Sequence, residues 1–274
     1  MITKAIEEAK AEALKIIESG IPGVHLCGDD YPQMDLFVQE LAAALRCEIL
    51  EWNFGLGLVD FKKEKTPEVR KDTFTFEHFL VSLCNPNSHE EPKIVLVKNA
   101  RFLLDGEANT KNLACLQQTL LWIKNTRHAT VQKHVVVYCD EQQFIPEQLA
   151  SLVHFVELKP PSKEELESIA KGYTKANSID YDQHSSLAAV CKGMSADAFT
   201  RILKQAAQDK ETFAKNVEGV AKKTKKQAVE KAASCSLWKP TRTKRTWAGL
   251  NTLNGGCAKN ATLYSRPTKR ASTA

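Results

Sequence analysis

Residues 23–45, GVHLCGDDYPQMDLFVQELAAAL, combine an apolar run, a short turn and a second apolar-rich run that begins beside a proline. This pattern predicts a buried strand followed by a helix, the arrangement with which nucleotide-binding proteins hold phosphate groups. The turn after Gly28 carries Asp29 and Asp30, where a phosphate-binding loop carries glycines and a lysine. Carboxylates would repel a triphosphate by about 1 kcal/mol at ~4 Å in water and about 4 kcal/mol near a protein surface. We therefore predict that the aspartates cap the helix instead.

Nucleotide hydrolysis also requires an acidic pair after a core strand, to position Mg²⁺ and to polarise the attacking water. The apolar run KIVLV at 93–97 is followed by Lys98 and Asn99, and a lysine cannot ligate magnesium. Asp105, further along, is interpreted as a turn residue. Because the sequence also contains no G-x-x-x-x-G-K-[ST] loop, we predict no catalytic residue and no bound cofactor.

Several other residues have the types that sites use, but not the required spacing. Gly55 and Gly57 resemble part of a glycine-rich loop, yet a third glycine and a following helix start are absent. Arg101 and Arg127 have the chemistry of arginine fingers directed at a neighbouring subunit, and we interpret them as solvated surface residues. The eight cysteines form no C-x-x-C pair and the seven histidines are dispersed, so we predict free thiols and no metal site.

The elements that would position these residues can be read from the apolar pattern. An amphipathic helix ending near Gly20 precedes five short strands, at 23–28, 48–54, 93–99, 134–140 and 154–160. Helical patterns lie between them, at 33–46, 75–84 and 110–126. Several strands are apolar on both alternations, which is typical of a sheet that helices cover on both faces. Residues 1–160 are therefore predicted to form a three-layer α/β domain with a parallel sheet.

After residue 160 the pattern becomes entirely helical. Pro161 is followed by Ser162 and by Glu165 three residues later, which predicts a capping box at a helix start. A further helix ends at Gly193, and Ser195 is the predicted N-cap of the next one. We assign residues 161–232 to a helical lid with a linker helix, and residues 233–274 to a disordered basic tail.

This order of elements resembles the AAA+ ATPase superfamily. HVVVYCD followed by IPEQLASLVHFVELKPPSKEELESIAKGY is similar to the sensor strand, the turn, the last strand and the first lid helix of that fold, and KGMSADAFTRILKQA is similar to a later lid helix. Residues 23–58 with KIVLVKNARFLLD are similar to the degenerate N-terminal domain of an uncharacterised AAA-domain protein family of cyanobacteria, plastids and other bacteria. The resemblance covers residues 5–232. It implies a degenerate phosphate-loop position at Gly28, Asp29 and Asp30 and a degenerate magnesium position at Lys98 and Asn99, with ATP and Mg²⁺ bound only by the family's catalytic domain.

The C-terminal segment differs from the rest in charge. Residues 220–274 contain 13 of the 38 Lys and Arg but one of the 33 Asp and Glu, which leaves −7 before them and +12 within them. Read from the third base of each codon, Trp238-Lys239 must encode Glu and Trp247-Ala248 must encode Gly, as in the segment that leads into the family's catalytic domain. We therefore interpret residues from about 233 onward as a frameshifted translation, whose positive charge would bind nucleic acid without specificity.

Composition and resemblance together lead to three functional hypotheses. No apolar run approaches the roughly 18 residues of a membrane span, so we expect a cytoplasmic protein with no membrane partner. The leading hypothesis is a non-catalytic AAA-like module of a larger ATPase that packs against its catalytic domain or other AAA subunits, assembles oligomers or recruits a client. The alternatives are a clamp-loader-like subunit associated with nucleic acid, and an ATPase with an unconventional site.

Overall fold

The computed structural model describes residues 3–55, 57–61, 75–85, 91–126, 129–208 and 212–237. The strands in these ranges are β1 (Gly23–Cys27), β2 (Glu48–Asn53), β3 (Gly57–Asp60), β4 (Lys93–Lys98), β5 (Val135–Asp140) and β6 (Val153–Glu157). The helices are α1 (Lys4–Glu18), α2 (Tyr31–Leu45), α3 (Phe76–Leu83), α4 (Arg101–Leu104), α5 (Thr110–Asn125), α6 (Ala129–Gln132), α7 (Lys163–Ala176), α8 (His184–Val190), α9 (Ala196–Ala206) and α10 (Phe213–Leu237).

All six strands form one sheet in the order β3-β2-β4-β5-β1-β6. The pairs among β2, β4, β5, β1 and β6 are parallel, and only the β2–β3 pair is antiparallel. The predicted α/β class and the five predicted strands are thus confirmed. The short edge strand β3 was not predicted. It begins at Gly57, whose φ of 72° lies in the region that glycine adopts most readily, so the glycines at 55 and 57 belong to a hairpin.

Alternate residues of the central strands enter different cores, as the apolar pattern predicted. Val95 and Val97 of β4 face a core shared with α3, α4 and α5, whereas Ile94 and Leu96 face a core shared with α1 and α2. A sheet covered on both faces excludes water from every central strand, so each side chain there must be apolar or hydrogen-bonded. This explains why β4 and β5 lack a polar alternation.

The helices after β6 begin where their capping residues predicted. Ser162 accepts a hydrogen bond from the Glu165 amide, and the Glu165 side chain accepts one from the Ser162 amide, so the predicted capping box is present. The Ser195 hydroxyl accepts from Ala198 N at the start of α9, and Gly193 precedes it with a φ of 85°. We call α7, α8, α9 and the part of α10 up to Lys226 the lid.

The chain divides into two compact units, residues 1–226 and 227–274. Of the second unit the structure describes only a helical backbone, because α10 extends to Leu237, past the predicted start of the tail at residue 233. Residues 238–274, including most of the segment interpreted as frameshifted, lie outside the described residues. In the described ranges, no helix is both long enough and apolar enough to cross a bilayer.

Candidate functional site

The two positions that the sequence analysis compared with a phosphate loop and a magnesium site, at residues 28–30 and 98–99, lie at the same edge of the sheet. Cys27, directly before Gly28, is paired in register with Asp140 at the end of β5, and Lys98 at the end of β4 is paired with Cys139. The carboxyl ends of neighbouring parallel strands form a crevice, which is where ligands bind in open α/β sheets. This edge is therefore the candidate functional site.

Asp30 is the N-cap of α2. Its Oδ1 accepts a hydrogen bond from Gln33 N at 3.1 Å, and its side chain is almost fully buried, with 6% of the residue surface exposed. Its second oxygen, Oδ2, accepts from the backbone N of Asp197 in the first turn of α9, at 2.9 Å. The predicted capping is confirmed for Asp30. Asp29 is exposed and makes no hydrogen bond or ion pair within the described part of the chain.

The Glu165 carboxylate connects the N-termini of two further helices, α7 and α1. Besides its capping-box bond at 2.8 Å, Glu165 uses Oε1 to accept from Lys4 N in the first turn of α1, at 2.6 Å. The N-cap residues Thr3, Asp30 and Ser195 all line one cleft, together with the segment that leads to α7. Helix N-termini carry partial positive charge, and here two carboxylates supply the negative charge.

The cleft itself is nearly filled by the protein. The space left for the centre of a water molecule is about 10 Å³, lined by Thr3, Asp29, Asp30, Gln33, residues 158–161 and Ser195. A volume of that size holds about one water molecule. A nucleotide could enter only if the lid moved away from the sheet edge.

Lys98, at the end of β4, is held by two acidic side chains. Its Nζ is 2.8 Å from Asp35 Oδ1 on α2 and 3.4 Å from Glu51 Oε2 on β2. Burial by itself would lower the pKa of Lys98, but the hydrogen bonds and charges of these carboxylates outweigh burial and raise it. The Phe61 ring, 5.8 Å away, adds a cation–π contact. Lys98 is therefore positively charged at neutral pH, and its ammonium group is paired with Asp35 and Glu51 and contacts the Phe61 ring.

Asn99 has a structural role next to it. Its φ of 54° places it in the left-handed region that asparagine tolerates better than most residues. The Asn99 side-chain oxygen accepts a hydrogen bond from the Tyr31 hydroxyl at the start of α2. Burial, together with the nearby Glu141 and Asp140 charges, raises the pKa of Tyr31 to about 12, so the phenol remains a donor at neutral pH.

Asp140, at the end of β5, was not predicted as a site residue. Its Oδ2 accepts from Arg101 N at 3.0 Å, and only 7% of the residue is exposed. Burial raises the pKa of Asp140 to about 6, while the Arg101 amide and guanidinium group oppose the rise. Arg101 also pairs with Asp105 on the surface, at 3.2 Å, as expected for a solvated arginine. Arg127 lies outside the described residues.

Some residues of these contacts could be predicted from local sequence patterns, and others could not. Glu165 could be found because it occupies the third position of a capping box, whereas its bond to Lys4 spans 161 residues and leaves no local pattern. Asp35, Glu51 and Asp197 occupy ordinary surface-like positions on their elements. Only the tertiary structure brings their side chains or amides to the crevice.

A second feature is an apolar groove between α3 and α5, on the opposite side of the sheet from α1 and α2. Its volume is about 400 Å³, and Val81 and Trp122 on its walls are 66% and 51% exposed. The Trp122 indole N–H donates a hydrogen bond of 3.2 Å to the Cys84 carbonyl. This bond fixes the orientation of the ring on the groove wall. Exposed apolar patches of this kind are typical of contact surfaces.

Six cysteines whose side chains the structure describes are free thiols, as predicted. Cys139 and Cys191 are buried, and Cys27, Cys47, Cys84 and Cys115 are half-buried. Burial raises the pKa of Cys139 and Cys191, so both remain protonated at neutral pH. Among the residues that the structure describes, no three His, Cys, Asp or Glu side chains are grouped closely enough to hold a metal ion.

Comparison with known proteins gives the sheet domain a family. Residues 10–158 match the SpoVK-like AAA ATPase, N-terminal domain. The chain belongs to this family. No curated protein matches the sequence. The family assignment confirms the resemblance to the AAA+ superfamily and to its N-terminal domains, and the match covers all six strands and α2 but not the lid.

Proposed function

We propose that the chain is a non-catalytic AAA-like module that acts by contact within a larger AAA+ ATPase. The observation that carries this proposal is the double use of the Asp30 carboxylate at the position where a nucleotide phosphate would lie. A buried carboxylate that already accepts two backbone N–H groups opposes an added phosphate and leaves neither of these amides free for it. Gly28, Asp29 and Asp30 are accordingly a degenerate phosphate-loop position.

Lys98 supports the same proposal at the magnesium position. In an ATPase a carboxylate after this strand would hold Mg²⁺. Here an ammonium group occupies the place of the cation, and Asp35 and Glu51 neutralise it. Chain groups therefore supply both the anion and the cation that Mg-ATP would bring. Lys98 and Asn99 are a degenerate magnesium position in this proposal, and ATP and Mg²⁺ bind only in the catalytic domain.

The contact role is supported by the family and by the groove. The family is named as the N-terminal domain of an AAA ATPase, so the partner we propose is the catalytic AAA domain of such a protein, with oligomer assembly or client recruitment as its consequence. Val81 and Trp122 offer that domain an apolar surface. We place the module in the cytoplasm and assign it to the cyanobacterial, plastid and bacterial family named above, with residues from about 233 frameshifted. The nucleotide sequence of the gene tests this last point.

Calorimetric titration with Mg-ATP tests the absence of nucleotide binding. We expect no heat of binding and no phosphate release from ATP by the purified chain. The competing hypothesis, an ATPase with an unconventional site, requires turnover that is lost when Asp29 and Asp30 are replaced. Measurable turnover with that dependence would contradict our proposal.

Titration with a purified catalytic AAA domain of the SpoVK-like family tests the contact role. Val81→Lys places a charge in the groove and should weaken binding by about tenfold or more, since desolvating an unpaired charge is costly. Ala189→Lys, at an exposed position of α8, is the matched control and should bind as the wild type does. Equal affinity of both variants would remove the groove from the proposal.

The second candidate function is a clamp-loader-like subunit associated with nucleic acid, favoured by the +12 charge of residues 220–274. Binding through the tail alone should fall steeply with salt and disappear when residues 233–274 are deleted. Salt-dependent binding that persists after this deletion would favour the second candidate over a non-catalytic contact module.

A further inference from the structure

The sheet domain and the lid do not share an apolar core. The buried apolar residues of the described chain form three clusters; two lie on the faces of the sheet, and the third contains only lid residues between Leu166 and Ala221. Hydrophobic burial therefore stabilises each part but does not by itself select one orientation of the lid. Directional contacts at the joint must contribute to that choice.

Two carboxylates supply such contacts in opposite directions. Asp30, which belongs to the sheet domain, caps its own helix α2 and accepts the Asp197 amide of lid helix α9. Glu165, which belongs to the lid, caps its own helix α7 and accepts the Lys4 amide of α1 on the sheet domain. Each carboxylate thus uses one oxygen locally and the other across the joint.

These contacts restrict the mobility of the lid. Hydrogen bonds to charged groups are stronger than neutral ones, and each of these contacts also satisfies a helix N-terminal amide that would otherwise be unpaired. Two such contacts on separate helices restrain a rigid body much more than one does. We propose that Asp30 and Glu165 form a reciprocal clamp that holds the lid closed on the sheet edge without a ligand.

This clamp goes beyond the proposed contact function. A non-catalytic module could have a mobile lid, and a clamped lid would present one fixed surface to any partner. Opening of the lid would break both contacts together, because α7 and α9 pack against one another within a single lid core. Asp30 contacts the Asp197 amide and Glu165 contacts the Lys4 amide, and neither carboxylate contacts both. The clamp therefore predicts that loss of either contact also weakens the other.

Two conservative variants separate the cross-joint contacts from the local caps. Asp30→Ser keeps an effective N-cap for α2, since serine is among the preferred N-cap residues, but offers one oxygen instead of two. Glu165→Gln keeps a residue that capping boxes accept, but has a single acceptor oxygen. Asp29→Ser is the matched control, because Asp29 is exposed and lies beside Asp30. Circular dichroism of all three variants checks that the fold is retained.

Amide hydrogen exchange of the full chain, measured by NMR, provides the readout. Asp30→Ser should speed exchange of the Asp197 amide by about 10- to 100-fold, and Asp29→Ser should not. The decisive result is the effect of each substitution on the amide that the replaced side chain does not contact. Glu165→Gln should also speed exchange at Asp197, and Asp30→Ser should also speed exchange at Lys4, because either substitution favours opening of the same joint.

Two results would overturn the clamp. If Glu165→Gln affects only Lys4 and leaves Asp197 within about twofold of the wild-type rate, the carboxylates are independent local caps. If Mg-ATP slows exchange at Asp197 in the wild-type chain, a ligand rather than the clamp closes the lid. The second result would also contradict the proposed function, whereas the first would leave that function intact.

Discussion

The ammonium nitrogen of Lys98 lies 2.8 Å from the Asp35 carboxylate, which joins the end of β4 to helix α2. Glu51 on β2 approaches the same nitrogen at 3.4 Å, so three neighbouring elements meet on one positive charge. The side chains are only 14–32% exposed, which makes the group more than a surface ion pair. Lys98 is thus part of the internal support of the crevice.

Replacing Lys98 should therefore destabilise the fold. Lys98→Met retains most of the side-chain volume but leaves Asp35 and Glu51 close together without a cation, and we expect a loss of about 3 kcal/mol in the free energy of unfolding. Lys222→Met, which removes an exposed pair with Glu218, should cost less than about 0.5 kcal/mol. Urea denaturation monitored by circular dichroism measures both. Equal losses would show that the Lys98 cluster has no special role.

Asp140 should make the protein less stable as the pH rises through mildly acidic values. Because burial raises its folded pKa from 3.8 to about 6, its contribution is complete below pH 3.8 and is lost by about pH 6. The loss is at most about 3 kcal/mol, since one pKa unit corresponds to about 1.4 kcal/mol. Asp140→Asn keeps an acceptor for Arg101 N and should flatten this part of the profile.

His25 should act in the opposite direction. It is fully buried on β1, its Nε2 accepts from Phe144 N at 2.9 Å, and its Nδ1 lies 3.3 Å from the Tyr138 carbonyl oxygen, which defines a neutral ring protonated on Nδ1. Burial lowers the pKa of His25 below 6.5, so its contribution is present above pH 6.5 and is lost as the pH falls through the lower folded value.

Nitrogen-15 chemical shifts measured across a pH titration test this prediction for His25. They should show the Nδ1-protonated neutral form persisting below pH 6.5, because the folded pKa lies below that value. Titration of His25 with a midpoint at or above 6.5 would contradict the assignment.

Two glycines should respond oppositely to alanine. A Cβ at Gly23 would lie 2.7 Å from Val153 Cγ2 and 2.9 Å from the Leu152 carbonyl oxygen, so the β1–β6 pairing would have to shift. We expect Gly23→Ala to cost about 1–3 kcal/mol. A Cβ at Gly172 in α7 would meet no neighbouring atom within 4 Å, so Gly172→Ala should stabilise the lid by about 0.5–1 kcal/mol. Thermal unfolding distinguishes the two, and a neutral Gly23→Ala would refute the close packing.

Much of the fold could be predicted because its signals are local. The central strands β4 and β5 are almost continuous apolar runs, and Ser162, Ser195 and Asp30 are capping residues with a physical reason to begin a helix. The edge strand β3 was not predicted because Gly55 and Gly57, before and at its start, resemble a loop, and its four residues are too few to establish a period. The helix α4 is as short and was missed for the same reason.

The order of residues alone shows that the sequence has no G-x-x-x-x-G-K-[ST] motif and that Lys98 and Asn99 follow the apolar run KIVLV, since neither observation depends on the fold. The sequence also predicts a sheet covered on both faces and then a series of capped helices. These features depend on the spacing of apolar residues and on hydrogen bonds between residues close in sequence. The groups that fill the crevice could not be predicted from residue order. The contacts from Asp30 to Asp197 and from Glu165 to Lys4 span 167 and 161 residues, so their partners become neighbours only when the lid docks on the sheet edge.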